Sequence, residues 1–318
     1  MRMRAGIGLC LGVATLLVTA VVTAEDPAPR QHIERMVVAA GAVSFHGMVV
    51  YGYGGHAEPM EIVRLQESEP TERVFTLRGP PREVFRKEGR VRWVLPDQGI
   101  VVTEQARDAR RRFTDISSAQ LDALDEYYEL ELAGEDRVAD RSAVVLDLRP
   151  RDSYRYGYRL WLDQETGLLL ASECRARDGQ VIEHFMFVEL DTDPSPSSLE
   201  PRLSDSGLKV VEVPEGPASD EEHRWHATRV PPGFTLLSHG KRWRRGQEEP
   251  VEHLLYGDGF GAVSVYIAQG EDMDFHGHSG KGATRMAGAN VNGHHVTVVG
   301  EVPSATIEMV LSSVERRP

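Results

Sequence analysis

A chain of 318 residues and 35.3 kDa is long enough for two domains of ordinary size, each with its own core. Its 49 acidic side chains against 36 basic ones give a net charge of −13, which repels nucleic acid and anionic bilayer surfaces and excludes both as electrostatic partners. Lipid can then be met only through a pocket.

Arg2 and Arg4 open the chain, Ala5 to Val22 is an uncharged apolar run, and Val22-Thr23-Ala24 is a small-residue site ahead of Glu25-Asp26-Pro27. This predicts a cleavable export signal over 1–24, with an uncleaved membrane anchor as the competing reading. Cys10 sits too early in the run for a lipid-attachment site. No later apolar run approaches the roughly 20 residues that span a bilayer, so the mature chain is expected to be exported and soluble. Without the leader there are 34 basic against 49 acidic side chains, about −15. Cys174 is then alone, so no intrachain disulfide forms, and it is expected to be a small buried hydrophobe in a strand.

After Pro27 and Pro29, Gln31 to Ala42 carries Ile33, Met36, Val37 and Ala40 at helical spacing. Strands are predicted over 44–53, 59–66, 71–78, 82–86, 90–95 and 99–105, separated by turn residues such as Gly79-Pro80-Pro81 and Glu88-Gly89. A second helical segment begins at Ser118-Ala119-Gln120-Leu121 and is expected to break at Gly134. From Ser142 to Asp191, four apolar-rich runs are joined by short turns, which can connect only antiparallel neighbours; a parallel pair needs a crossover of about a dozen residues. This is a β-meander. Tyr158, Leu160 and Leu162 share one face and Arg159 and Trp161 the other, so one side of the sheet covers something apolar.

About ten antiparallel strands and two helical segments in residues 25–192 do not fit one flat sheet. They predict an open barrel or half barrel with helices on the concave side. From Asp193 the composition turns to proline, serine and acid, a stiff, solvated linker over 193–222. The second unit, 223–318, reads as a smaller α+β domain with an antiparallel sheet: a hairpin at Glu252–Tyr256 and Phe260–Ala268 around Asp258-Gly259, a strand at His295–Val302, and a last helix with Ile307, Val310, Leu311 and Val314 on one stripe.

The common catalytic signatures are missing, and no catalytic residue or cofactor is assigned. His276, His278, His294 and His295 fall within 20 residues, but Asp272 to Asn292 is glycine-rich with no carboxylate or cysteine at ligand spacing, so they read as solvated loop histidines and no metal site is expected. Two cationic clusters stand out on an acidic protein: Arg110-Arg111-Arg112, and Lys241-Arg242-Trp243-Arg244-Arg245. Beyond solubilising the surface, they are candidates for phosphates of a lipid headgroup or an acidic peptide.

Further residues carry a resemblance. Gly79-Pro80-Pro81-Arg82-Glu83-Val84, Tyr127-Tyr128 with Val138-Ala139-Asp140-Arg141, Tyr156 and Tyr158 with Trp161-Leu162-Asp163 and Glu165-Thr166, Pro231 with Gly233-Phe234, Tyr256 with Asp258-Gly259, and Val299-Gly300-Glu301-Val302-Pro303 resemble, in order and spacing, the RseB/MucB family of periplasmic negative regulators of the σE-type (AlgU-type) envelope stress response. The loop from Gly270 to Gly293 matches least well. The resemblance implies an N-terminal domain shaped like the lipoprotein carriers LolA and LppX, an unclosed antiparallel β-barrel, and a smaller C-terminal domain. It implies binding to the periplasmic part of an RseA/MucA-type anti-sigma factor, protection of that factor from the site-one protease, and release by lipopolysaccharide or by lipoprotein acyl chains.

Val91, Trp93, Leu95, Leu146, Tyr158, Leu160 and Leu162 are the expected lipid-cavity lining, with a self-filled core as the alternative for each. The linker and C-terminal domain are favoured for the anti-sigma contact. The rival functions are a lipoprotein carrier of LolA type and an exported metal-dependent hydrolase using the loop from His276 to His295. Self-association stays open.

Overall fold

The computed structural model describes residues 28–66, 70–105, 116–213, 224–242, 250–270 and 277–317. Helix α1 (Pro29–Ala42) starts on a proline, whose fixed φ suits the first helical turn. Six strands follow: β1 (Phe45–Tyr53), β2 (His56–Leu65), β3 (Thr71–Thr76), β4 (Glu83–Lys87), β5 (Arg90–Leu95) and β6 (Ile100–Gln105). After the short helices α2 (Ser118–Asp122) and α3 (Leu124–Tyr127) come β7 (Tyr128–Val138), β8 (Arg141–Pro150), β9 (Gly157–Asp163), β10 (Leu169–Arg175) and β11 (Val181–Asp191).

The two meanders β1–β6 and β7–β11 are sewn together where β1 pairs antiparallel with β11. With β12 (Lys209–Glu212) the sheet has twelve strands, and its edges, β12 and β7, do not pair with each other. The sheet is an unclosed barrel. Helix α1 lies in its hollow, with Ile33 and Met36 packed on Leu146, Leu148, Leu160 and Leu162. The meander expected over 142–191 is present as β8 to β11.

The second helical segment is shorter than expected. Helix gives way to strand at Tyr128, because Leu130 and Leu132 alternate with Glu129 and Glu131 at the period of two that a half-buried strand requires. Gly134 is a bulge in β7, at φ 111°, rather than a helix end.

Part of the linker is fastened to the large sheet. Residues 209–212 pair in parallel with β6, and Arg202 and Leu203 donate their backbone N–H groups to the Glu83 carboxylate, each at 2.9 Å. Arg73 donates to the Ser198 carbonyl at 2.8 Å and Arg202 to Glu61 at 2.6 Å. These contacts bury the outer face of β2, so Val63 is wholly enclosed although its strand neighbours Ile62 and Arg64 point into the hollow.

The small domain comprises β13 (Trp225–Ala227), β14 (Thr235–Arg242), β15 (Val251–Gly257), β16 (Ala262–Gln269), β17 (Gly277–Lys281), β18 (Thr284–Val291), β19 (His294–Gly300), α4 (Ser304–Leu311) and β20 (Val314–Arg316). Its six-stranded antiparallel sheet runs β14-β15-β16-β19-β18-β17, and β13 and β20 form a separate ribbon. Val263, Val265, Val296 and Val298 bury against Ile307 and Val310 of α4. The glycine-rich stretch expected to be a loop is a hairpin over 277–291; Gly282, at φ 58°, supplies the turn, and β18 completes its ladder on β19.

Candidate functional site

Helix α1 fills only the part of the hollow under the second meander. Beside it, under β1 to β3, β10 and β11, a cavity of about 390 Å³ stays open. Its wall is aromatic: Phe187 meets Phe45 edge-on at 5.6 Å and Phe185 at 5.3 Å. Gly47 makes room for this, since a Cβ there would stand 2.6 Å from the Phe187 ring. Ile62 and Val74, paired across β2 and β3, continue the apolar lining.

The cavity has a charged corner. Arg64, almost fully buried, stands opposite Glu72, which Arg86 holds at 3.3 Å. Cys174 lines the cavity too, and burial pushes its thiol far above the usual cysteine range, so it is a poor nucleophile. Burial likewise pushes up the Tyr51 hydroxyl at the mouth, where Glu183 lies beside it.

The other domain borders the cavity with Ala283 and Glu301. The turn between β17 and β18 reaches over, Ala283 packs into the large-domain core, and its N–H donates to Glu183 at 2.6 Å. Lys281 lies over the Tyr53 ring at 4.5 Å, and Glu301 joins the cavity lining.

A second contact fixes the domains to each other. Phe260, at the tip of the β15–β16 hairpin, inserts between Tyr128 (5.5 Å) and Tyr158 (5.6 Å). Arg155 bonds Asp258 at 3.0 Å while its guanidinium stacks on Tyr127 at 4.6 Å. Gly233, at φ 81°, lies so close to Tyr127 that a Cβ would be 2.3 Å from the ring.

Of the residues expected to line a cavity, Tyr158 does. Leu146, Leu160 and Leu162 belong to the core beneath α1, where the helix takes the place of a ligand. Val91, Trp93 and Leu95 lie on β5, three strands from β2; Val91 is buried, and Trp93 donates its indole N–H to Glu104 at 3.3 Å. The residues missed are Phe45, Ile62, Phe185 and Phe187. Their signal was the alternation of Phe185 and Phe187 with His184 and Met186; in the ladder they stand opposite Tyr51 and Val49 of β1.

Lys241 and Arg242 lie on β14; Arg110, Arg111, Arg112, Trp243, Arg244 and Arg245 fall outside the described residues, as does His276. His278 is exposed on β17, His294 packs on Trp225, and His295 is buried beside Thr297. Among the described residues no three histidine, cysteine or carboxylate side chains come together as a metal site.

Comparison with known proteins matches residues 28–209 to the MucB/RseB N-terminal domain and residues 219–315 to the MucB/RseB C-terminal domain. The chain is 34% identical over 294 residues to the sigma factor AlgU regulatory protein MucB of Pseudomonas aeruginosa, covering 89% of each. It is 23% identical over 305 residues to the sigma-E factor regulatory protein RseB of Haemophilus influenzae, covering 95% of this chain and 96% of that one. The crystal structure of MucB in complex with MucA(peri) superposes with a TM-score of 0.71 at 32% identity, over 92% of this chain and all of that one; MucB by itself gives 0.66 over 90% and 97%.

Proposed function

The chain belongs to the MucB/RseB family, and we propose that it is an exported regulatory binding protein that grips the periplasmic part of a membrane anti-sigma factor and shields it from the site-one protease until an acyl chain enters the large-domain cavity. The complex of MucB with MucA(peri) supports the partner, and the reading makes this a protein that acts by binding rather than by chemistry.

The observation that carries the mechanism is that one cavity is lined from both domains. Phe45, Phe185 and Phe187 come from the large domain, Ala283 and Glu301 from the small one. An occupant therefore changes what holds the small domain in place. Turning a 99:1 equilibrium around takes about 5.5 kcal/mol of differential affinity. At about 0.8 kcal/mol per buried methylene, roughly seven methylenes supply that, and about fourteen do so if half is lost to ordering. An ordinary acyl chain suffices.

The test is a competition. The mature protein is loaded with the periplasmic segment of a membrane anti-sigma factor and titrated with an acyl ligand, and the segment should be released and become cleavable. Failure to capture the segment at all would refute the partner; capture without release would refute the lipid signal. A form ending near Glu200 should lose most of the binding, because the linker and small domain are assigned to the grip. A lipoprotein carrier, the second reading, shares the cavity but leaves the domain that borders it without a task.

A further inference from the structure

The small domain holds a concavity of about 520 Å³ that shares no residue with the cavity of the large domain. It is a slot between one end of the six-stranded sheet and the β13–β20 ribbon. Strand register puts Lys241 opposite Glu252 and Glu252 opposite Ile267, while across the slot Trp225 pairs with Arg316. Trp225, Val251 and Ile267 are buried and give it an apolar floor. The Trp225 indole is braced edge-on by His294 at 4.9 Å, whose Nδ1 is in turn 3.1 Å from the Asn292 carbonyl.

Three cations, Arg224, Lys241 and Arg316, line this slot, and among the described residues none of them forms a salt bridge. Their acidic neighbour is Glu252, which feels all three but is in contact with none, and its Oε2 is buried with no hydrogen-bond partner. Burial pushes the Glu252 carboxyl up against the pull of the Arg224, Lys241 and Arg316 charges. On a protein with a net charge of −13, three cations around one slot repel one another, and among the described residues lining it Glu252 is the one carboxylate that offsets them.

We propose that this slot binds a doubly charged oxyanion of the phosphomonoester class, with Arg224, Lys241 and Arg316 on its oxygens and the attached organic group over Trp225 and Ile267. The charge balance selects the class. Three cations against one ionised carboxylate leave a surplus of two, which a phosphomonoester, at about −1.5 to −2 near neutral pH, neutralises and a single carboxylate does not. Arginine forks match such oxygens bidentately. If Glu252 is protonated it becomes a donor to the same group, which would satisfy its orphan oxygen.

The full mature chain is titrated calorimetrically with inorganic phosphate and glycerol phosphate at fixed ionic strength, and tested for binding to phosphatidylcholine vesicles with and without phosphatidic acid. Binding of the soluble esters marks a free phosphorylated metabolite as the source. Binding of phosphatidic acid vesicles alone marks a headgroup. In either case Lys241→Gln with Arg316→Gln should weaken binding about a hundredfold, roughly tenfold per cation, and Glu252→Gln should tighten it. Arg316 is exposed and Lys241 half-buried, so circular dichroism should show the fold intact. Absence of binding by every probe, indifference to the double substitution, or equal binding of a glutamate-rich peptide would overturn the proposal, the last by giving the slot to a protein partner's carboxylates.

Discussion

Arg155 of the large domain and Asp258 of the small domain form a buried ion pair, 3.0 Å apart, across the boundary between them. Asp258 also accepts the N–H groups of Phe260 at 3.0 Å and Gly261 at 2.7 Å, so one carboxylate shapes the hairpin tip and anchors it to the other domain. Taking away one partner leaves the other charge buried and uncompensated, at a cost of about 3–5 kcal/mol. Arg155→Ala should therefore lower the urea midpoint and expose the 229–234 segment to protease, whereas Arg155→Met with Asp258→Asn should recover part of the loss. Equal stability of wild type and Arg155→Ala would show that the domains do not depend on this pair.

Glu83 is fully enclosed and accepts from Arg73 at 3.2 Å as well as from the backbones of Arg202 and Leu203. It is the pin that fastens the linker to the barrel. Glu83→Ala leaves the Arg73 guanidinium with Glu61, at 3.1 Å, but takes the acceptor from the Arg202 and Leu203 N–H groups, so a loss of about 1–3 kcal/mol for each is expected, with new proteolytic cleavage between residues 196 and 208. Limited proteolysis with mass mapping checks it; cleavage unchanged in that span would mean that β12, the Arg202–Glu61 pair and the Arg73 bond to Ser198 hold the linker without Glu83.

Much of this architecture was legible because it rests on local periodicity. The meander over 142–191, α1 and the hairpin around Asp258-Gly259 follow from alternation, helical spacing and turn chemistry, each a property of neighbours in sequence. What was not legible depends on partners far along the chain. Leu146, Leu160 and Leu162 have the pattern of a cavity wall, but α1, more than 100 residues away, occupies the space in front of them. Asp272 to Asn292 reads as a loop because glycine has low strand propensity, and the ladder offered by β19 makes Thr284–Val291 within it a strand. The resemblance supplied the family, while the residues that join cavity to small domain, Glu183 and Ala283, had no sequence signal at all.

His253 gives the small domain an acid-sensitive point. It is buried on β15, with Nε2 3.0 Å from the Ser264 hydroxyl and its ring stacked on Tyr266 at 4.6 Å. Burial, with the Arg242 charge adding to it, pushes the imidazole down from 6.5 to about 4. As pH falls from 6.5 to 4, the unfolded chain takes up a proton that the folded one refuses, so stability falls by at most about 1.4 kcal/mol per pH unit and about 3 kcal/mol in all, then levels off below pH 4. His253→Gln should remove that slope. Urea titrations from pH 7 to 4 test it, and a wild-type profile parallel to that of His253→Gln would rule out this histidine as the cause.

Ser172 lines the open cavity from β10, close to Cys174 and Phe185. A tryptophan there would occupy space that an acyl chain needs. Ser172→Trp is expected to abolish retention of a fatty acid in native mass spectrometry, while overpacking costs about 1–3 kcal/mol and leaves the fold intact. Cys174 offers a second readout: its thiol should react with a maleimide more slowly when ligand is bound. Full acyl retention by Ser172→Trp would place the ligand elsewhere.

Glu183 separates coupling from simple occupancy. It belongs to β11 of the large domain, yet its carboxylate receives the N–H of Ala283 from the small domain, and Gly282 lies so close that a Cβ would stand 2.2 Å from its oxygen. Glu183→Ala removes the acceptor and leaves the Ala283 N–H unpaired at the mouth, a loss of about 1–3 kcal/mol from the closed arrangement. If the hairpin and an acyl chain compete for that mouth, the substitution should raise acyl affinity about five- to hundredfold and weaken the hold on the anti-sigma segment, because closing is the state that both effects oppose. The two shifts must have opposite signs. Affinities measured by fluorescence with a labelled fatty acid and a labelled peptide decide it: if acyl binding tightens while peptide binding is unchanged, the Ala283 turn is only a lid, and the signal from the cavity must pass through Phe260 and the Arg155–Asp258 pair instead.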